Sequence, residues 1–135
     1  MRIVLDTNVL MSGIFFGGAP GHVLQAWETG QISLVVSPEI IEEYVATAEV
    51  LLARYDDIPL EPILTLIVKR SELWQSPALT AQICSDPDDD KFLACALASG
   101  AKCVVSGDKA LQRVSGYRNI SVMGPHQFVD TMLRT

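Results

Sequence analysis

The chain is predicted to adopt an α/β fold, a three-layer α/β/α sandwich with a central parallel sheet of four to five strands. Short apolar segments recur along the sequence, segments with helical patterning separate them, and capping or turn residues mark most boundaries. Strands that are apolar throughout and alternate with helices are typical of parallel sheets covered on both faces.

The first elements are two strands with a helix between them. Residues 2–5 are predicted to form a short buried strand, and apolar residues follow as far as Phe16. The glycine- and proline-rich run at 17–21 is interpreted as a turn, because both residue types favour turns. Residues 22–29 are predicted to be helical, and residues 32–36 to form the second strand.

The clearest helix start in the chain is at Ser37. Serine is a preferred N-cap, Pro38 suits the first helical position, and Glu39 places an acid in the first turn. Apolar residues then recur at helical spacing up to Leu52. A further helix with an apolar face is predicted over 60–74.

The second half of the chain continues the alternation of helices and strands. Residues 76–85 are predicted to be irregular, with a candidate extended pair at 83–84. The resulting order is β-α-β-α-α-α-β-α-β-α in a single domain spanning 1–135. The last elements are a helix from Asp86 to Gly100, a strand at 102–106, a helix at 108–114, a strand at 120–123 and a helix at 125–133.

Composition excludes several classes of protein. With 49% hydrophobic residues the 135-residue chain is not disordered, and its net charge of −6 disfavours a module that binds nucleic acid through basic patches alone. No segment approaches the roughly 20 apolar residues that cross a membrane, and no signal peptide is recognised, so a soluble cytoplasmic protein is expected. The three cysteines lack the spacing of a zinc site and are interpreted as buried thiols.

Acidic residues are concentrated where a parallel sheet would place its ligand site, beyond the carboxyl ends of the strands. The helix dipole also favours acids in a first turn, so the joint placement of these residues, more than any one of them, favours a functional site. The candidates are Asp6 after the first strand, Glu39, Glu42 and Glu43 in the next long helix, Asp86, Asp88, Asp89 and Asp90 before the third strand, and Asp108 after it.

Such a cluster suits a divalent cation. Mg²⁺ and Mn²⁺ prefer oxygen ligands in near-octahedral geometry, so two or three carboxylates leave positions for water and a phosphate oxygen. The ion can then activate a water and stabilise charge on phosphorus. Without an ion, crowded carboxylates repel each other. A metal-dependent nuclease is therefore compatible with the acidic composition.

Four segments of the sequence, taken in order, resemble the PIN-domain family. They are Ile3–Leu10, Ser37–Tyr44, Asp86–Ala96 and Val104–Leu111, and together they span nearly the whole chain. The subgroup resembled comprises the toxins of bacterial or archaeal toxin–antitoxin pairs, similar to the VapC toxins. The resemblance implies Mg²⁺- or Mn²⁺-dependent cleavage of single-stranded RNA.

The same resemblance implies which residues act. Glu42 and Asp89 remain alternatives to their neighbours, because helical spacing does not separate the members of either pair. Ser106 stands where the family often has threonine and keeps the hydroxyl. The implied metal-binding catalytic acids are Asp6, Glu43, Asp90 and Asp108, assisted through hydrogen bonds by Asn8 and Ser106.

The resemblance also implies partners, namely an RNA substrate, a small antitoxin protein and a second copy of the chain in a homodimer, with no membrane. The apolar face predicted over 60–74 is a candidate contact surface, although a face packed in the core is the ordinary explanation.

Other functions remain open from the residues themselves. Asp6 could act as a phosphoryl-accepting nucleophile, but Asn8 stands where that chemistry usually has a second aspartate. The glycine run at 17–21 lacks the Gly-Lys-Ser/Thr of a phosphate loop, and His22 and His126 lack a third ligand for zinc. A non-catalytic module that binds RNA or protein on the same fold is the alternative from a different class, and it would not need a metal ion.

Overall fold

The sheet is built around one central strand. A computed structural model describes residues 1–133, and in it five parallel strands lie in the order β3-β2-β1-β4-β5. The predicted α/β fold with a parallel sheet of four to five strands is confirmed. The strands are β1 (Arg2–Leu5), β2 (Ser33–Val36), β3 (Glu72–Leu73), β4 (Cys103–Val105) and β5 (Ser121–Met123).

The helices connect these strands along the chain. Arg134 and Thr135, which the predicted domain 1–135 includes, lie outside the described residues. No helix within residues 1–133 has the length and apolar composition to span a membrane. The helices are α1 (Thr7–Phe15), α2 (Gly18–Glu28), α3 (Pro38–Leu52), α4 (Leu60–Arg70), α5 (Asp90–Ser99), α6 (Lys109–Gln112) and α7 (Pro125–Phe128), which a π-helical segment at Val129–Leu133 extends.

The order of the strands reverses at β1. From β1 the chain proceeds through β2 to β3 on one side, and later through β4 to β5 on the other side. Right-handed crossovers in the two directions place connecting helices on opposite faces of the sheet. The crevice between the carboxyl ends of β1 and β4 is therefore the topological switch point, where ligands bind in folds of this type.

The segment after β1 differs from the prediction. Thr7–Phe15 is a helix that the sequence does not predict, because the segment is short and mostly apolar and only Thr7, Asn8 and Ser12 are polar. The predicted turn at 17–21 is limited to Gly17 and to Gly18, which is also the first residue of α2; their φ angles of 76° and 61° suit glycine. The rest of that run belongs to α2, where Pro20 lies in the first turn and its missing N–H is not needed.

The helix predicted over 60–74 was too long. It ends at Arg70, and the next residues form the edge strand β3. Two residues are too few to show a strand periodicity, and the pairing with Val35 and Val36 depends on the tertiary fold. The candidate extended pair at 83–84 is not a strand.

Helix α3 is fixed at its start and along its buried face. As predicted, Ser37 is its N-cap, and the hydroxyl oxygen accepts a hydrogen bond from the Ile40 N–H at 3.3 Å. Two turns further, the buried Tyr44 hydroxyl donates to the Leu5 carbonyl at 2.6 Å. This bond ties α3 to the last residue of β1, directly before Asp6.

Replacing Tyr44 with phenylalanine is expected to lower the free energy of unfolding by about 1–2 kcal/mol, because the Leu5 carbonyl loses a buried partner. Urea unfolding of both proteins measures the difference. Tyr55→Phe is the control, since Tyr55 is 47% exposed, and a change within about 0.5 kcal/mol is expected there. Equal effects of the two substitutions would contradict the assigned role of Tyr44.

Candidate active site

The candidate site lies at the crevice between β1 and β4. The register pairs Leu5 with Val105, so the residues that follow the two strands come together. The Asp6 N–H extends the ladder by donating to the Val105 carbonyl at 3.0 Å. Asp6 and the segment from Ser106 to Asp108 are thus held side by side at the carboxyl edge of the sheet.

Ser106 links the two acids. Its side chain is wholly buried, and its hydroxyl donates to Asp6 Oδ2 at 2.6 Å while accepting from the Asp108 N–H at 3.0 Å. The Asp108 carboxylate caps α6, because its Oδ1 accepts from the Ala110 N–H at 2.8 Å. The sequence prediction placed Ser106 among the assisting residues, and the structure gives it contacts with both acids.

The environment of Asp6 disfavours its charged form. Burial raises the pKa of this carboxyl above its usual value, and the charges of Glu43 and Asp108 act in the same direction, whereas the hydrogen bond from Ser106 opposes them. Three acids from three separate segments therefore interact at the crevice.

Glu43 reaches the cluster from the second turn of α3. One carboxylate oxygen accepts a hydrogen bond from the Thr7 hydroxyl, and Oε1 lies 2.7 Å from Lys91 Nζ. Lys91 also contacts Asp88 Oδ1 at 3.1 Å, and its side chain is only 15% exposed. Glu42, the alternative in the sequence analysis, is exposed. Helix α3 therefore directs Glu43 toward Asp6 and leaves Glu42 toward solvent.

The two acids at the start of α5 have different surroundings. Burial raises the pKa of Asp89 to about 6, and the charges of Asp6, Asp86, Asp108 and Glu43 add to this effect. Asp89 is therefore close enough to these acids to interact with them electrostatically.

Asp90 is directed to the loop before the helix. Its carboxylate accepts hydrogen bonds from the backbone N–H groups of Ile83 at 3.1 Å and Cys84 at 2.7 Å. Burial acts to raise the pKa of Asp90, but the hydrogen bonds from Cys84 and Ile83 outweigh it and lower the pKa. Asp89 thus interacts electrostatically with the other three acids, whereas Asp90, the ligand that the family resemblance implies, bonds the backbone of the preceding loop.

Three further residues complete the description of the site. Asn8, predicted to assist, is exposed in the first turn of α1, and none of the cluster's hydrogen bonds described above involves it. Thr7 and Lys91 contact Glu43 instead, and the sequence analysis assigned neither a role. Lys91 is the one basic residue between Asp86 and Ser99, which is the signal that could have drawn attention to it.

The donor set suits a hard divalent cation, because carboxylate oxygens are the ligands that Mg²⁺ and Mn²⁺ prefer. Among residues 1–133, however, no three acidic, histidine or cysteine side chains converge as a ready-made metal site. Glu43 is engaged by Thr7 and Lys91, and Asp108 by the Ala110 N–H. Closure around an ion therefore requires side-chain rotation, most directly at Glu43.

Comparison with known proteins gives a family and a fold. A chain in the crystal structure of VapBC2 from Rickettsia felis, bound to a DNA fragment from their promoter, is similar with a TM-score of 0.58 and 15% identity. The match covers 90% of this chain and 97% of that one. At this identity the likeness concerns the fold alone. No curated protein sequence matches the chain.

A family model described as PIN domain matches residues 2–110. This range contains the crevice strands β1 and β4 and all the acids of the cluster, and it covers most of the chain. The chain therefore belongs to the PIN-domain family.

Proposed function

We propose that the protein is a metal-dependent endoribonuclease that cleaves phosphodiester bonds in single-stranded RNA. The observation that carries this proposal is that three acids from three other segments, Glu43, Asp89 and Asp108, interact with the buried Asp6 carboxylate. Structural reasons alone do not favour such crowding, because burial, and then the charges of the neighbouring acids, raise the pKa values of Asp6 and Asp89. A bound cation would remove that repulsion.

Asp6, Glu43, Asp89 and Asp108 are the residues proposed to hold Mg²⁺ or Mn²⁺. Asp89 takes the place first given to Asp90, because two backbone N–H groups already occupy the Asp90 carboxylate. When bound, the ion supplies an activated water and stabilises negative charge on the phosphate. Ser106 keeps the Asp6 carboxylate oriented toward the crevice.

Lys91 has a separate role in this proposal. Its ammonium group offsets part of the negative charge of Glu43 and Asp88. Burial acts to lower its pKa, but the hydrogen bonds and charges of those two acids outweigh burial and raise it. Lys91 therefore stays charged and can move from Glu43 to a phosphate oxygen of the substrate.

The biological setting is also part of the proposal. The similar solved chain comes from a VapBC2 structure that contains promoter DNA, and by analogy this chain is proposed to be a cytoplasmic toxin with a small antitoxin partner, acting as a homodimer. Helix α4 buries Leu60, Leu64 and Ile67 in the core, while Leu66 is half exposed. The apolar face predicted over 60–74 is thus mainly a core face.

Replacing Asp6 with asparagine is expected to reduce metal-dependent RNA cleavage on the order of 100-fold or more, the loss typical of removing an electrostatic group from a reacting centre. The measurement uses labelled single-stranded RNA with Mn²⁺, with Mg²⁺ and with a chelator. Asp57→Asn, at an exposed acid in the loop between α3 and α4, is the matched control and is expected to cleave like the wild type.

The other possible results of this cleavage assay each lead to a different conclusion. Equal cleavage by wild type and Asp6→Asn would assign the activity to a contaminant. No cleavage, together with a Mn²⁺-dependent rise in the melting temperature of the wild type alone, would retain the metal site and reject RNA. No cleavage and no effect of metal would favour the non-catalytic module.

The neighbouring acids Asp89 and Asp90 are expected to respond oppositely to substitution with asparagine. The folded-state pKa of Asp89, about 6, lies above the ordinary 3.8, so its ionised form destabilises the fold. This destabilisation grows as the pH rises from about 4 to about 6 and persists above that. Asp89→Asn should therefore raise the melting temperature in chelator at about pH 7.5 and change it little at about pH 4.

Asp90→Asn should instead lower the free energy of unfolding by about 1–3 kcal/mol at neutral pH, because two backbone donors lose a charged acceptor. The lowered pKa of Asp90 means that its stabilisation is present above the ordinary carboxyl pKa and disappears as the pH falls through the folded-state value. Added Mn²⁺ should stabilise Asp90→Asn but not Asp89→Asn. If Mn²⁺ stabilised Asp89→Asn but not Asp90→Asn, the metal-ligand role would belong to Asp90.

A further inference from the structure

A cleft of about 560 Å³ opens beside the acid cluster and has no role in the proposal above. It lies between the start of α3, the start of α5 and the irregular segment 76–82. Lys91 lines the cleft and also contacts Glu43 at 2.7 Å. The cleft therefore adjoins the acid cluster, and the Lys91 side chain contacts both.

The outer wall of the cleft is tethered to the body of the protein. The Asp90 carboxylate holds the N–H groups of Ile83 and Cys84. The Gln82 amide donates to the Cys84 carbonyl at 2.9 Å, and the Ser76 hydroxyl donates to the Trp74 carbonyl at 3.3 Å. The Trp74 N–H donates to the Val36 carbonyl at 2.8 Å, so both ends of segment 76–82 adjoin residues that are bonded to other elements, and the cleft is present without a ligand.

The lining combines apolar surfaces with polar edges. Ala78, Leu79 and Ala94 supply apolar surface, while Thr80 and Gln82 supply a hydroxyl and an amide. A few polar groups set in an apolar lining, within a volume of about 300–1,000 Å³, are characteristic of sites for small flat ligands. Unpaired RNA bases suit such a site, since a base removed from its stack can pack between apolar or aromatic side chains while its edge forms hydrogen bonds.

The charges of the cleft favour a base over a phosphate group. Glu39 and Asp90 both line it, and the one cation among its lining residues, Lys91, is engaged at the inner end by Glu43. Two carboxylates would repel a phosphate inside the cleft but not a neutral base. The phosphate is instead drawn toward the ammonium group of Lys91 and the metal-binding acids.

We propose that this cleft binds one unstacked base of the RNA strand, belonging to the nucleotide next to the phosphate that is cleaved. The inference rests on the proposed ribonuclease function and adds to it a base-binding site in segment 76–82. Contacts at this site would position the strand over the acid cluster and would give cleavage a preference among bases.

The test measures binding without cleavage. Backbone amide NMR spectra of the metal-free protein in chelator are recorded with each of the four ribonucleoside 5′-monophosphates, and with ribose 5-phosphate as the matched ligand that lacks a base. At least one nucleotide should shift the amide signals of segment 76–82, and ribose 5-phosphate should leave the signals of that segment unchanged. Equal shifts from ribose 5-phosphate, or none from any nucleotide, would overturn the proposal.

A pair of leucine variants tests whether the nucleotide binds in the cleft. Leu79→Ser removes apolar surface from the cleft and should weaken nucleotide binding roughly tenfold, equivalent to about 1.4 kcal/mol. Leu66→Ser, at a half-exposed leucine of α4 outside the cleft, should bind like the wild type. Equal weakening in both variants would overturn the proposal. The melting temperature of each variant shows whether it is folded.

The failure of this inference can be told apart from failure of the proposed function. Metal-dependent RNA cleavage without nucleotide-induced shifts would reject the base site and retain the nuclease. Base-dependent shifts in a protein that cleaves no RNA would retain the cleft as a nucleotide site and reject the nuclease.

Discussion

The hydrogen bond between Ser106 and Asp6 is the contact on which the arrangement of the site depends. A carboxylate that is only 7% exposed requires a partner, because burying an unpaired charge costs several kcal/mol. Ser106 provides that partner from the adjacent strand, at 2.6 Å. Its hydroxyl also accepts the Asp108 N–H, so one buried serine determines where the first and last acids of the cluster lie.

The other acids reach this pair through the helices that cover the sheet. Tyr44 bonds the last residue of β1 and thereby sets the rotation of α3 that directs Glu43 inward. Asp90 bonds the loop before α5 and thereby leaves Asp89 facing the cluster. Lys91 then offsets part of the negative charge. Tyr44 and Asp90 bind no metal in the proposed mechanism, but they determine which acids are placed to bind it.

Sequence patterns predicted most of the sheet but not every helix or edge. Strands β1, β2 and β4 are short and mostly apolar, and the Ser37-Pro38 start of α3 follows a local rule, so these could be predicted. Helix α1 was missed because it is short and mostly apolar, and its few polar residues do not mark out a clear helical periodicity. Strand β3 was missed because a two-residue edge strand exists only through its pairing with β2.

The candidate site could be predicted to a similar degree. Asp6 and Asp108 follow strands, and the rule for parallel sheets brings such residues together. The sequence could not indicate which of two adjacent acids joins the cluster, because that depends on contacts with other parts of the chain. Asp90 is withdrawn from the cluster by the backbone of Ile83 and Cys84, and Glu43 is engaged by Thr7 from another segment. Neither contact leaves a periodic signature in the sequence.

The central position of β1 has a consequence for how the protein is made. Asp6 and Ser106 are 100 positions apart, and β1 lies between β2 and β4. Parallel pairing at such separation requires closure of a long loop, which is entropically unfavourable and slows folding. A nascent chain cannot complete the acid cluster until the segment through Asp108 has left the ribosome. Truncated translation products that stop before β4 therefore carry Asp6 and Glu43 without an assembled acid cluster.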